Sequence, residues 1–261
     1  MTTNSSVRII GPGRAGGALA IALARVGWTV VAPVRRGESL SGAASGVDLL
    51  VIATPDGVIA EVAREITPDP TTVVVHLSGV LGLEALADHP QRAALHPLTS
   101  MPTAEIGAER LVSGAWFAID ANTESALKCM KSLADALGGR SFVVDDEHRV
   151  AYHAAAAIAS NHVVALLGSA ERVASTAGVP IEAFLELVRA TIDNIEDLGV
   201  IDALTGPGAR GDWDTVARHR DAIDPSELAL YDALVDAARR VVDSRPTPSD
   251  ERTPPIPETE N

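Results

Sequence analysis

The chain has one cysteine, Cys129, among 261 residues. A single thiol closes no intrachain disulfide and holds no thiolate metal cluster. Aromatics reach only 3% while hydrophobic residues reach 46%, so a core must be built from Ala, Val, Leu and Ile. The length suits one large domain or two ordinary ones. Lysine is nearly missing, with Lys128 and Lys131 the two present. The formal net charge is −14. Such a surface repels phosphate backbones, so neither nucleic acid nor an anionic membrane is expected as a main partner. The opening MTTNSSVRII has no basic stretch followed by an apolar one, and no apolar run is expected to reach membrane-spanning length. The expected location is cytoplasmic. Neither an HExxH pattern nor a cysteine spacing points to a metal.

What is present alternates. VRII, WTVVAPV, VDLLVIATP, TTVVVHLSG, RAALHPL, GAWFAID and RSFVVDD read as strands. ALAIALARVG, DGVIAEVAREI and TESALKCMKSLADALGG read as helices between them. This alternation predicts an α/β fold with a mostly parallel sheet over residues 1–146. From 147 to 243 no strand pattern remains, and four helical stretches predict an all-α C-terminal domain. A glycine-rich, non-helical DALTGPGARGD lies among them. Residues 244–261 are polar and proline-rich and read as a disordered tail.

Gly11, Gly13 and Gly16 form G-x-G-x-x-G between the first strand and first helix. Gly11 permits the tight turn, Gly13 lets a pyrophosphate approach the backbone, and Gly16 lets helix and strand pack closely. Arg14 and Ala15 complete the loop, whose amides open the helix N-terminus to phosphate. Proteins of this pattern that select NAD place an acid about 20 residues on, for the ribose 2′-hydroxyl. Residues 1–37 contain no acid, and Arg35 and Arg36 end the second strand. A guanidinium fork suits a 2′-phosphate, so NADP(H) is the expected cofactor. Two merely solvated arginines would be the alternative.

Ligands in such sheets sit outside the carboxyl ends of the strands. Those ends are Thr54 and Pro55, then His76, Ser78 and Gly79, then His96 and Pro97. Thr54, Pro55 and Ser78 are expected to border the cofactor. In the next helix, His153, Ala157, Ser160, Asn161 and Val164 share one face at α-helical spacing, with Tyr152 on a neighbouring face. His153 and Asn161 are the candidate groups for substrate. An alanine-rich core helix with its polar groups satisfied by backbone is the plain alternative. In TGPGARGD, Thr205, Arg210 and Asp212 share a loop, where Arg210 could hold a carboxylate or simply pair with Asp212.

The stretches GPGRAGG, HLSG, LHPL, YHAAAAIASN and ALTGPGARGDWDTVARH together resemble a family. It joins a Rossmann-like NAD(P)-binding domain to a helical C-terminal domain of unknown function. Its architecture is similar to ketopantoate reductases, pyrroline-5-carboxylate reductases and 6-phosphogluconate-dehydrogenase-like enzymes. The resemblance covers roughly residues 7–240 and implies an NADP-dependent oxidoreductase, dimeric through the helical domain. Relatives of the ketopantoate reductase type use a lysine as proton donor, and this chain has no lysine in a suitable place. His153 is then the leading donor, since histidine titrates near neutral pH, with His96 second. Asn161 would hydrogen-bond the carbonyl oxygen and Arg210 a carboxylate. The expected reaction is NADPH-dependent reduction of a small 2-oxo acid, with ketopantoate the specific expectation. An imine reductase, or a non-catalytic NADP sensor, would share the same cofactor features.

Overall fold

A computed structural model describes residues 5–34 and 37–244. Arg35, Arg36 and all of the expected tail except Ser244 lie outside the described residues. Two compact units divide the chain, one ending at His162 and the other beginning at Val163.

The first unit is built on seven strands: β1 Ser6–Ile10, β2 Thr29–Val30, β3 Leu49–Ile52, β4 Val73–His76, β5 Arg92–Leu98, β6 Trp116–Ala121 and β7 Arg140–Val143. Their order is β2-β1-β3-β4-β5-β6-β7. The first five run parallel; β6 is antiparallel to β5 and parallel to β7. This is the expected α/β class with a mostly parallel sheet. The second strand is shorter than its apolar pattern predicted, because Thr29 and Val30 form an exposed edge. The central strands β3 and β4 are buried at every residue, as continuous apolar runs require.

Helices α1 Arg14–Arg25, α2 Asp56–Arg64, α3 Ala104–Leu111, α4 Glu124–Ala136 and α5 Arg149–Ala157 complete the unit. One sheet face presents Ile9, Val51, Val75, Leu95 and Phe117, and packs with Leu19 and Leu23 of α1, Leu111 of α3 and Met130 and Leu133 of α4. Helices α1 and α3 touch through small residues: a Cβ on Gly107 would lie 2.8 Å from the Ala18 Cβ. Helix α3 escapes the sequence pattern. It is short and is started by Thr103, whose hydroxyl accepts from the Ile106 amide at 3.2 Å. The other face presents Ile10, Leu50, Ile52 and Val74, packed with Ile59 and Ala63 of α2 and Leu86 of a 3-10 turn at Leu83–Leu86. The strand register puts His76, Ala94 and Asp120 in one row on this second face, with His96, Ala118 and Phe142 in the next.

Helix α5 continues through a π-helical turn at Ile158–His162 into α6 Val163–Ser175. The whole stretch Arg149–Ser175 has 27 residues and a mean hydropathy of 1.4 over its most apolar window. By length and composition it is sufficient to cross a bilayer, which corrects the expectation that no apolar run reaches that length. Its first turn is committed elsewhere: Arg149 is fully buried and donates to the Ser78 carbonyl.

The second unit is helical throughout, with α6, α7 Ile181–Ala203, α8 Pro207–Arg210, α9 Trp213–Ala222 and α10 Leu228–Asp243. Gly199 breaks α7 with φ 79°, a left-handed conformation that glycine tolerates. Glu227 ties α6 to the start of α10, accepting from Ser169 Oγ at 2.5 Å and pairing with Arg172. The stretch expected to be non-helical holds the short α8. Pro207 starts it, and Gly211 ends it at φ 72°.

Candidate active site

The strand order reverses between β1 and β3, where β1 is flanked by β2 on one side and β3 on the other. A crevice is therefore expected outside the carboxyl ends of these strands. A cleft of about 1010 Å³ lies there, lined by Gly11, Pro12, Val34, Glu38, Thr54 and Pro55 among others. The three glycines differ in the way the motif demands. A Cβ on Gly11, at φ +88°, would stand 2.8 Å from the Ala53 carbonyl oxygen. One on Gly16 would meet the Gly11 carbonyl oxygen at 2.3 Å. One on Gly13 would meet nothing within 4 Å. Gly13 is also the N-cap of α1, with no side-chain cap and no acid in the first turn, so the helix dipole is uncompensated. Arg14 is exposed and Ala15 half-buried beside it. Thr54 Oγ1 is buried without a hydrogen-bond partner. An open backbone approach, free helix amides and an orphaned hydroxyl fit a dinucleotide pyrophosphate. Glu38, one residue beyond the acid-free stretch, lines the same cleft.

The neighbouring strand ends carry the second part of the site. Ser78, after β4, is buried, and its hydroxyl accepts from the Val80 and Leu81 amides at 3.2 and 3.1 Å, shaping the turn at Gly79. A Cβ on Gly79 would lie 2.7 Å from His153 Cδ2 and 3.0 Å from His96 Nε2. Only glycine leaves room for both rings. The two imidazoles meet edge to face, with centroids 6.0 Å apart. His96 Nδ1 lies 2.6 Å from the Tyr152 hydroxyl. Tyr152 is held in turn by Phe142 of β7, in a T-shaped contact at 5.8 Å. His153 has no hydrogen-bond partner among the described residues.

Burial and a nearby cation keep His96, His76 and Tyr152 neutral. Burial, then the neighbouring His153 and Arg149 charges, lower the His96 imidazole to about 4. Burial pushes the Tyr152 phenol up to about 12, against a lowering by Arg149. His76, fully buried, is lowered to about 4, first by burial and then by Arg149. Its Nε2 lies 3.2 Å from the Gly82 carbonyl. Arg149 is the hidden cation of the cluster. Its Nη1 donates to the Ser78 carbonyl at 3.4 Å, and its Nε lies 3.6 Å from Asp146. Asp120, on the sheet beneath, adds a second favourable charge.

The structure thus brings together His96 and His153 against Gly79, all three expected near the crevice, and adds Tyr152 and Arg149, which sequence reasoning did not place in the site. The signal for both was there: Arg149, Tyr152 and His153 stand at i, i+3 and i+4 and share one helix face. Asn161 lies within the π-helical turn and is exposed. Arg210 lies at the end of α8 in the second unit, exposed and without an ion pair among the described residues. Asp212 is not its partner. It caps α9, accepting from the Thr215 amide at 3.1 Å, and Thr215, first through its side chain and then through its amide, holds the carboxyl below the usual range.

This glycine-loop crevice, with a polar cluster at the adjoining strand ends, defines a Rossmann-type dinucleotide-binding fold followed by a helical unit. Residues 115–238 match the family model described as "Domain of unknown function (DUF2520)". The match spans the last strands of the sheet and most of the helical unit. It is similar to a Bacteroides fragilis protein named as a candidate NADP oxidoreductase, at 22% identity and TM-score 0.77, covering 92% of this chain and 99% of that one. It is also similar to protein TM1727 of Thermotoga maritima, at 27% identity and TM-score 0.69, covering 91% and 98%. A Plasmodium falciparum pyrroline carboxylate reductase with NADP bound shares the fold, at 14% identity and TM-score 0.61, covering 93% and 100%. No curated protein matches the chain in sequence.

Proposed function

We propose that the chain is an NADPH-dependent reductase of a small carboxylate-bearing 2-oxo acid, with ketopantoate as the substrate. The observation that carries this reading is the pair of imidazoles closing on Gly79, at the same sheet edge as the open Gly13 loop. Gly11, Gly13, Arg14, Ala15 and Gly16 would hold the pyrophosphate, Thr54, Pro55 and Ser78 would border the cofactor, and Arg35 and Arg36 would take the 2′-phosphate. When bound, the reduced nicotinamide supplies a hydride. The chain's own part is to place the carbonyl and to provide a proton for its oxygen. The histidine pair is suited to that: His153 has a ring free of hydrogen-bond partners among the described residues, and His96 lies against it. Asn161 would steady the carbonyl oxygen, and Arg210 carries the proposed carboxylate-binding role.

The exposed Leu187, Ile192, Ile195 and Leu198 of α7 support a homodimer through the helical unit. Sedimentation of the purified chain tests this, and a monomer at micromolar concentration overturns it. Glu38 in the cleft favours a second cofactor reading, in which a carboxylate takes a ribose hydroxyl and NADH competes.

The test is oxidation of NADPH by the purified chain, with ketopantoate against pyrroline-5-carboxylate and NADH as a control. Turnover of ketopantoate with NADPH, lost in His153→Ala, supports the reading. Turnover of pyrroline-5-carboxylate alone replaces it with imine reduction. Tight NADPH binding without turnover of either overturns both substrates and leaves a cofactor sensor.

A further inference from the structure

We propose that Tyr152 and His96 form a neutral proton relay, in which the tyrosine hydroxyl fixes the imidazole tautomer and refills it as His96 Nε2–H protonates the product oxygen. This rests on the reductase reading for its reaction, though not for its geometry.

The geometry begins with the hydrogen bond of 2.6 Å between the Tyr152 hydroxyl and His96 Nδ1. The hydroxyl has no other partner among the described residues. If Nδ1 carried the proton, the phenolic proton would be left without an acceptor in a half-buried position. The favoured arrangement has the hydroxyl donating to Nδ1. His96 then carries its proton on Nε2, the atom that borders the open side of Gly79, which His153 Cδ2 also borders. A tautomer set by a bond on the opposite ring nitrogen is the usual way a histidine is aimed.

The surroundings favour a neutral relay over an imidazolium. Arg149 and His153, both on α5, disfavour a positive charge on His96, and Asp56 of α2 favours it less strongly than burial opposes it. Arg149 also stands close enough to Tyr152 to stabilise a phenolate, with Asp146 and Asp120 balancing the guanidinium. A neutral imidazole polarising a carbonyl is established chemistry for a histidine of depressed pKa.

The step balances. The reduced nicotinamide, when bound, would supply hydride to the carbonyl carbon, and the C=O π pair would move to oxygen. That oxygen takes the Nε2 proton while Nδ1 takes the Tyr152 proton. The products are the alcohol, oxidised nicotinamide, a neutral His96 with its proton now on Nδ1, and a Tyr152 phenolate beside Arg149. Solvent returns a proton to the phenolate, and tautomer exchange restores the starting state. In this relay His96, in place of His153, gives the proton, and His153, beside it, helps place the carbonyl; Tyr152 acts through His96 as a positioning residue and proton reserve.

The test reads the tautomer directly. Histidine side-chain nitrogen resonances are recorded on the full-length chain between pH 5 and 8, with His96 assigned by its loss in His96→Gln. The expected result is a neutral His96 with the proton on Nε2 down to pH 5, changing to a tautomer mixture in Tyr152→Phe. A His96 protonated on Nδ1, one that titrates near 6.5, or a tautomer unchanged in Tyr152→Phe overturns the proposal. The wild-type spectrum decides even if the variant fails to fold. With a substrate in hand, Tyr152→Phe is expected to lower kcat about 100-fold with KM nearly unchanged. Failure to find any substrate would overturn the reductase reading and leave the tautomer result standing.

Discussion

A methyl group on Gly16 would stand 2.3 Å from the carbonyl oxygen of Gly11 and 2.8 Å from the Ala53 Cβ. The same group on Gly13 would stand in open space. The two glycines therefore have separable roles, one in packing and one in admitting a ligand. Gly16→Ala is expected to cost about 1–3 kcal/mol of stability, the range for overpacking against backbone. Gly13→Ala is expected to leave the unfolding midpoint within about 1 kcal/mol of the parent. It should still weaken NADPH binding by about tenfold or more, since the pyrophosphate must approach that backbone. Urea unfolding and NADPH fluorescence titration of both variants check this. Equal losses in both assays would remove the distinction.

Gly79→Ala tests the second part of the site. The new Cβ would press on His153 Cδ2 at 2.7 Å and on His96 Nε2 at 3.0 Å. Both contacts are rings at the ends of side chains, which can swing aside, so the loss of stability should be small. The rings would then be displaced from each other and from the crevice. A displacement of about 1 Å costs on the order of 100-fold in rate. The expected outcome is a folded protein with normal NADPH binding and turnover reduced about 100-fold. A variant with parental turnover would show that the two rings need not stay where they are.

Much of the first unit was legible because its signals are local. The glycine turn, the buried runs of β3 and β4 and the acidic start of α4 each lie within a few residues. Thr123 caps α4 by accepting from the Ala126 amide at 3.1 Å, which its position before Glu124 announces. What sequence could not show depends on partners far along the chain. Arg149 reads as a solvated charge at a helix start, yet it is fully buried because the Ser78 carbonyl, 71 residues earlier, meets it there. The π-helical turn at Ile158–His162 is equally silent, since an inserted residue leaves an alanine-rich pattern unchanged.

Two features of opposite charge bear on the proposed cofactor choice. Glu38 lines the cleft, and Arg35 and Arg36 immediately precede that wall in sequence. If the arginines hold a 2′-phosphate, replacing both with alanine should weaken NADPH by about 10- to 100-fold, the worth of a charge-assisted contact. NADH should be little changed. Glu38→Gln should act the other way, weakening NADH and sparing NADPH. Dissociation constants for both nucleotides across the three proteins decide. An NADPH affinity untouched by the double replacement would mean that the 2′-phosphate is bound elsewhere or not at all.

Acid should destabilise the sheet unit before its carboxylates titrate, because His76 is buried as a neutral ring. Its folded value is about 4 against an ordinary 6.5, so between these limits the unfolded chain binds the extra proton. Stability therefore rises with pH across this window and is lost as pH falls from 6.5 towards 4. At pH 5 the loss from a group shifted this far is about 2 kcal/mol. His96 moves in the same direction and adds to it. The carboxyls held low, such as Asp145 and Asp212, lose their contribution only below their ordinary range, at more acid pH. Urea midpoints at pH 7.5 and pH 5 measure the effect. His76→Gln can keep a side-chain N–H for the Gly82 carbonyl, now 3.2 Å from Nε2, but cannot take up the proton. It is expected to be less stable than the parent at pH 7.5 and to lose less on moving to pH 5. A parent midpoint unchanged between the two pH values would mean that His76 is not held neutral by its burial.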